Sequence, residues 1–428
     1  MLTGLSEAFQ RLKKYFYLSH TVAANKMKMR WLSHFSLVTG KPPASGIRFA
    51  VYQKLSDIPA GVWDECNADN DIFLSSRYLA ALEQAPPDNM QFRYAVFQEN
   101  DYPVATAYFQ ILAIDHRLHR SPGGSGHSGN PGIFKNIHKK IADSISHRIL
   151  VCGNILLSGE HGYSEREKTE IPILYAIAEA AYAIRKSEAG GISATLIKDF
   201  YENNRHSPEI LSQFGFHPFD AGPNMIVPIR KNWTSFEEYL KQMKSKYRKR
   251  AAGVIKKGLE ILKRPLDQDE MLKYKADLFS LYGEVAGRAK FKLFILSPEY
   301  FIELKKNLGE RFVCDAYFLK DKMIGFSTRI FNRDTVEGYT HGLNYDLNKS
   351  YELYQNFLLD DIREAIDGKF SRISTGRTSV AMKSSVGAVP ENMKCHIRFS
   401  GRITNQLVKP LFYFIKPSGE YCRNPFGD

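Results

Sequence analysis

Apolar residues recur every three to four positions through Leu2, Leu5, Phe9, Leu12 and Phe16, a spacing that predicts an amphipathic helix at the start of the chain. Arg11, Lys13 and Lys14 sit off that stripe, and Glu7 is the only acid before the linker-like run KPPAS at 41–45. Residues 1–46 therefore read as a basic amphipathic extension, suited to peripheral contact with an anionic membrane or to packing on its own domain.

Beyond it, the pattern alternates between period 2 and period 3.6. Strands are expected at 48–53, 92–98, 104–114, 149–157, 191–197 and 224–229, with helices at 75–84, 170–186 and 208–214. A second unit opens with two candidate capping boxes, Thr234-x-x-Glu237 and Ser235-x-x-Glu238. The stripe Phe236, Leu240, Met243, Tyr247, Val254, Ile255, Leu259 and Leu262 then predicts one long helix, stopped by Pro265. Helices at 269–287 and 298–308, a hairpin at 313–319 and 323–331, a strand at 335–342, a helix at 351–366 and a strand at 370–374 complete it. The two halves share an element order, so the expected fold is α/β (α+β): two tandem domains, 47–230 and 231–400. Each is a mixed, mostly antiparallel sheet flanked by helices, and a basic aromatic tail follows at 401–428.

Charge and chemistry narrow the picture. The 428 residues carry 59 Lys plus Arg against 46 Asp plus Glu, a net charge of +13, which favours polyanionic partners. Five scattered cysteines, with no Cys-x-x-Cys pair, argue against a disulfide framework or zinc knuckle. The six histidines between His116 and His161 are irregularly spaced, so no metal is expected. No run is long and apolar enough for a membrane span, and the start lacks a secretory signal, so a cytoplasmic protein is expected, peripheral at the inner membrane face through its N-terminal helix. The loop 121–132 holds Gly123, Gly124, Gly126 and Gly129 and reads as a lid-like segment.

Three stretches carry candidate chemistry. KQMKSKYRKRAAGVIKKG at 241–258 has eight cations and no acid, and Arg248 and Lys249 are its candidate contacts to an anionic donor. GYTHGLNYDLNKSYELYQNFLL at 338–359 leaves a strand into a polar loop. There Tyr339 and His341 are candidate acid, base or orienting groups, Tyr345 and Tyr351 candidate substrate contacts, and Lys349 adds charge at a helix start. STGRTSVAMKSSVGAVPE at 374–391 is small and hydroxyl-rich: Gly376 permits close backbone approach, Arg377 can grip an anion, and Lys383 can neutralise a phosphate or an oxyanion.

These stretches, with the hairpin YFLKDKMIGFSTRIFNRDTVEGY, resemble the acyltransferase domain of the GNAT superfamily in its Fem-like, peptidoglycan aminoacyltransferase-related branch, over about 231–399. The resemblance implies two GNAT-like domains whose central strands splay apart, with an activated carbonyl in the gap of the second. It implies that Lys383 handles the donor and that Arg377 opens the same motif. Where GNAT domains carry a glycine-rich pyrophosphate loop, this chain has YDLNKS at 345–350, without glycine. The donors implied are therefore acyl-CoA, acyl carrier protein or aminoacyl-tRNA, and the acceptor an amine on a small molecule or lipid precursor. The expected activity is N-acyl transfer, with Lys383, Arg377, Tyr339 and His341 catalytic. The alternative is a non-catalytic RNA- or membrane-binding protein on the same scaffold.

Overall fold

The computed structural model describes residues 45–114, 148–166, 169, 172–202, 208–289, 293–401, 403–406 and 421–427. The amphipathic start and the loop 121–132 lie outside the described residues, apart from 45–46. The first sheet is built from β1 (Arg48–Tyr52), β2 (Met90–Glu99), β3 (Tyr102–Ala113), β4 (Arg148–Cys152), β5 (Tyr163–Glu165), β6 (Ala194–Tyr201) and β7 (His217–Asp220). The second uses β8 (Asn224–Pro228), β9 (Ile261–Pro265), β10 (Phe312–Leu319), β11 (Lys322–Asn332), β12 (Thr335–Leu343), β13 (Arg372–Ser374) and β14 (Val389–Glu391). The last strand, β15 (Met393–Phe399), returns to the first sheet.

The strand orders are β1-β2-β3-β4-β6-β15-β7 and β14-β8-β13-β12-β11-β10-β9. Each sheet is antiparallel except for one pair joined through a helical crossover: β4 with β6 through Ile173–Ser187, and β12 with β13 through Leu353–Asp367. The architecture is thus two mixed sheets flanked by helices. Two strands cross the boundary expected at 230/231. β8, from the first half, lies between β13 and β14, and β15, from the second, lies between β6 and β7. Each half therefore completes the other's sheet.

An apolar cluster between the sheets draws on both halves, including Trp63, Phe73, Tyr94, Tyr300, Phe301 and Phe326. Helix Ile173–Ser187 covers the outer face of the first sheet, and Leu353–Asp367 that of the second. Ser75 caps Ser76–Gln84, and Ser235, not Thr234, caps Phe236–Gln242.

The long helix expected from 234 to 262 is broken. Phe236–Gln242 ends at Met243, Ser245–Lys257 follows, and Ile261–Pro265 is an edge strand that leaves Leu259 and Leu262 exposed. The break is fixed from the far end of the chain: the Lys244 N–H donates to the Pro425 carbonyl at 2.8 Å, and Phe426 packs on Trp233 and Tyr239. The Arg248 guanidinium caps the first piece, donating to the carbonyls of Lys241 and Met243 at 3.1 Å each.

Candidate active site at a split in the second sheet

The site begins with one extra residue. Opposite β11, the register passes from Ser327↔His341 to Arg329↔Gly338, so Tyr339 and Thr340 together face Thr328. The Thr328 hydroxyl fills the disrupted ladder, accepting from the Thr340 N–H at 2.9 Å and donating to its carbonyl at 2.8 Å. On its other side β12 pairs with β13 only from Thr335↔Arg372 to Glu337↔Ser374, and beyond that rung no parallel pairing continues. Gly338 stands at the crotch, where a Cβ would come 3.3 Å from the Ser374 carbonyl.

The bulge reverses the side-chain alternation. Tyr339 points toward the core between the sheets, while His341, two residues on, packs on Tyr354 and Phe357 of the helix across the outer face. Tyr339 and His341, both expected as catalytic groups, therefore stand on opposite faces of the sheet.

On the outer side, His341, Tyr354, Ser379 and Lys383 gather beside the split. Lys383 sits on the short helix Val380–Ser384, is buried, and donates from Nζ to the Thr375 carbonyl; Gly376 lies alongside it. Burial and then the Lys383 charge push the His341 imidazole down to about 4, so it is neutral at pH 7. Burial pushes the Tyr354 phenol up to about 12, and its hydroxyl bonds to Ser379.

On the inner side, Glu337 and Ser374 of the last rung line a cavity of about 330 Å³ together with Asp71, His161, Tyr201 and Arg372. Burial raises the Glu337 carboxyl above its ordinary value. His161 Nδ1 lies 2.5 Å from Asp71 Oδ2. Burial opposes charge on both, yet their mutual attraction holds Asp71 below and His161 above the ordinary range. Asp71 also accepts from the Phe73 N–H and the Asn332 amide, each at 3.0 Å. The Asn224 amide donates to Tyr201 and to Ser374 at 3.0 Å each. The Tyr339 hydroxyl is bonded to Tyr300 and, at 2.9 Å, to Tyr78.

Of the residues expected at the site, the structure thus brings together Lys383, His341 and Gly376. Arg377 reaches instead into the first sheet. Its guanidinium pairs with buried Asp199 and donates to the Ala221 carbonyl at 2.7 Å and the Ser158 hydroxyl at 3.1 Å, which leaves it no anion-gripping face at the split. Arg248 is a helix cap, and Lys249 and Lys349 are exposed. Tyr345 stacks under Arg288, and Tyr351 donates to Glu260 at 3.4 Å.

At the helix starts expected to receive phosphate, backbone N–H groups are taken by protein side chains. The Tyr345 N–H donates to Glu284 at 3.1 Å. Glu352, in the left-handed region at φ 52, precedes Leu353–Asp367 and bridges Arg250 at 3.0 Å and Lys257 at 3.1 Å. Glu352 makes no side-chain cap, and the Tyr354 N–H at that helix start donates to Asn348 Oδ1 at 3.1 Å. Protein side chains thus take N–H groups that a pyrophosphate would use at a helix N-terminus.

Sequence reading missed Glu337, Asp71, Tyr354 and Thr328. Glu337 and Thr328 lie within the hairpin stretch and Tyr354 within 338–359, but what each side chain meets is not readable along the chain; Asp71 meets His161 only through the fold. Among the described residues no three His, Cys, Asp or Glu side chains converge as a metal site, and no helix is long and apolar enough to cross a membrane.

No family model matches the chain, and no curated protein sequence does. Among solved structures it is similar to FemX, at 12% identity over 86% of this chain and 99% of that one, with a TM-score of 0.49. It is similar to a tandem GNAT protein from the clavulanic acid biosynthesis pathway, at 8% identity over 83% and 99%, with a TM-score of 0.47. It is also similar to the C-terminal domain of a putative lysylphosphatidylglycerol synthetase from Agrobacterium fabrum, at 9% identity over 82% and 94%, with a TM-score of 0.45. The likeness is to Fem-like and tandem GNAT structures, and it is one of overall fold alone.

Proposed function

We propose that the protein is an N-acyltransferase that moves an acyl or aminoacyl group from an activated donor to an amine. The observation that carries this reading is the split itself. A buried lysine and a neutral imidazole stand on one side of the last β12–β13 rung, and a cavity with a buried carboxylate opens on the other.

The donor carbonyl enters from the Lys383 side and the amine from the Glu337 side. As the amine nitrogen bonds to the carbonyl carbon, negative charge grows on the carbonyl oxygen, and the Lys383 ammonium stabilises it. Glu337, ionised, takes the proton the nitrogen must lose. The C–O or C–S bond to the carrier then breaks, and Tyr354, held protonated by burial, returns a proton to the leaving atom. Holding both reactants at one gap supplies the remainder, as alignment.

Glu284 and Asn348 hold backbone N–H groups at the two helix starts, which disfavours a free coenzyme A pyrophosphate there, while the cations of Ser245–Lys257 are exposed. The reading therefore ranks donors on a large anionic carrier, aminoacyl-tRNA or acyl carrier protein, above free acyl-CoA. Mass spectrometry of amine acylation with each donor tests it: Glu337→Gln is expected to lower kcat by about 10²–10⁴-fold. Unchanged turnover would remove Glu337 as the base. RNA or vesicle binding with no transfer from any donor would favour the non-catalytic alternative.

A further inference from the structure

An alkyl amine is an ammonium ion at pH 7 and has no lone pair to attack with. Its nitrogen must lose two protons, one before the bond to carbon forms and one after. Glu337 accounts for the second. The first needs another acceptor in the same cavity.

Most polar groups of that cavity are engaged. Glu160 accepts from the Tyr201 N–H at 2.9 Å, Asp334 accepts from the Ser371 hydroxyl at 2.5 Å, and Arg372 pairs with Glu391 at 2.9 Å. Asp71 is held at both oxygens: Oδ1 accepts from the Phe73 N–H and the Asn332 amide, and Oδ2 faces His161 Nδ1. His161 differs, because its Nε2 makes no hydrogen bond among the described residues. Gly159 also lines the cavity, and a Cβ there would come 2.6 Å from Nε2, so the missing side chain leaves that nitrogen open. The Phe73 ring, edge to face at 4.7 Å between centroids, holds the imidazole plane. Asp71 is ionised and can only accept, so the ring proton sits on Nδ1 and the neutral imidazole carries its lone pair on Nε2. Asp71 and Glu337 both strengthen the imidazole as a base, against buried Lys198.

We propose that His161, oriented by Asp71, is the first of two bases: its Nε2 takes a proton from the acceptor ammonium, and Glu337 takes the second proton once the nitrogen has bonded to the carbonyl carbon. The inference rests on the transferase reading. It makes the first half of the chain, which carries His161 and Asp71, part of the reaction at the split in the second sheet.

Two acceptors separate the two protons: ethanolamine, an ammonium at pH 7, and hydroxylamine, a neutral amine at that pH. Transfer to each is measured on the full chain with every donor class. His161→Gln is expected to lower kcat toward ethanolamine by at least about 10²-fold and to leave hydroxylamine transfer near the wild-type rate. Glu337→Gln is expected to slow both, since each nitrogen still loses the later proton. Asp71→Asn keeps the shape of the buried pair and is expected to repeat the His161→Gln pattern. Two donors hold Oδ1 in place as the amide oxygen, so the NH₂ turns to Nδ1 and forces the ring proton onto Nε2. The ¹⁵N shifts of neutral His161 are expected to show the proton on Nδ1 in the wild type. Equal losses on both acceptors, no loss, or a wild-type proton on Nε2 would overturn the role of His161 and leave the transferase reading standing. No transfer by the wild type to either amine from any donor would instead sink the transferase reading, and this inference with it.

Discussion

His341 packs on the Tyr354 ring beside the charge of Lys383, and its titration reports that placement. Because its folded pKa lies near 4 and the ordinary value is 6.5, the unfolded chain binds the proton first on acidification. Stability is therefore expected to fall as pH drops from about 6.5 toward 4, and His341→Gln is expected to remove that part of the profile in denaturant titrations. An imidazole resonance titrating near 6.5 would place the side chain in water, away from Lys383. Lys383, expected from its loop after a strand, is placed buried beside the split on the Thr375 carbonyl, and its part in transfer is a proposal. Arg377 looked equivalent in the same loop, but its partner, Asp199, stands 178 residues away. Nothing local distinguishes a guanidinium aimed at a substrate from one aimed at a buried carboxylate.

At the scale of the element, the bulge in β12 decides which side chains meet. Alternation along VEGYTHG puts Tyr339 and His341 on one face, and a single extra residue separates them. Thr328, on the neighbouring strand, gives the backbone of Thr340 both partners. Thr328→Val is expected to cost about 1–3 kcal/mol, the penalty of leaving buried backbone groups unpaired, measured by urea unfolding. A neutral result would mean that water or a shifted strand replaces the hydroxyl. The strands and crossover helices were readable because each pattern repeats over several residues. The break at Met243–Lys244 was not, since the apolar stripe continues across it and the group that fixes it is the Pro425 carbonyl.

At the scale of the molecule, the exchange of β8 and β15 locks the two sheets together. Arg377 and Asp199 reinforce the lock, joining the loop after β13 to β6. Arg377→Met is expected to destabilise the protein by about 3 kcal/mol, because it strips a partner from a buried carboxylate. Both halves are expected to unfold in one transition. Two separate transitions, or a variant that melts like the wild type, would contradict the lock. Element order alone predicted a twofold architecture, but it cannot reveal that a strand joins the sheet of the other half, because both placements give the same pattern along the chain. That joined frame matters because it sets the Lys383 side of the split opposite the inter-sheet cavity. The central claim is that an activated carbonyl is received at this split. Single-turnover transfer to an amine, with the donor that supports activity in the wild type, tests it most directly when Lys383→Met is compared with the wild type at matched folded fraction. The account predicts a loss of about 10²–10³-fold, the scale of a lost oxyanion contact. Transfer at the wild-type rate by the folded variant would contradict it.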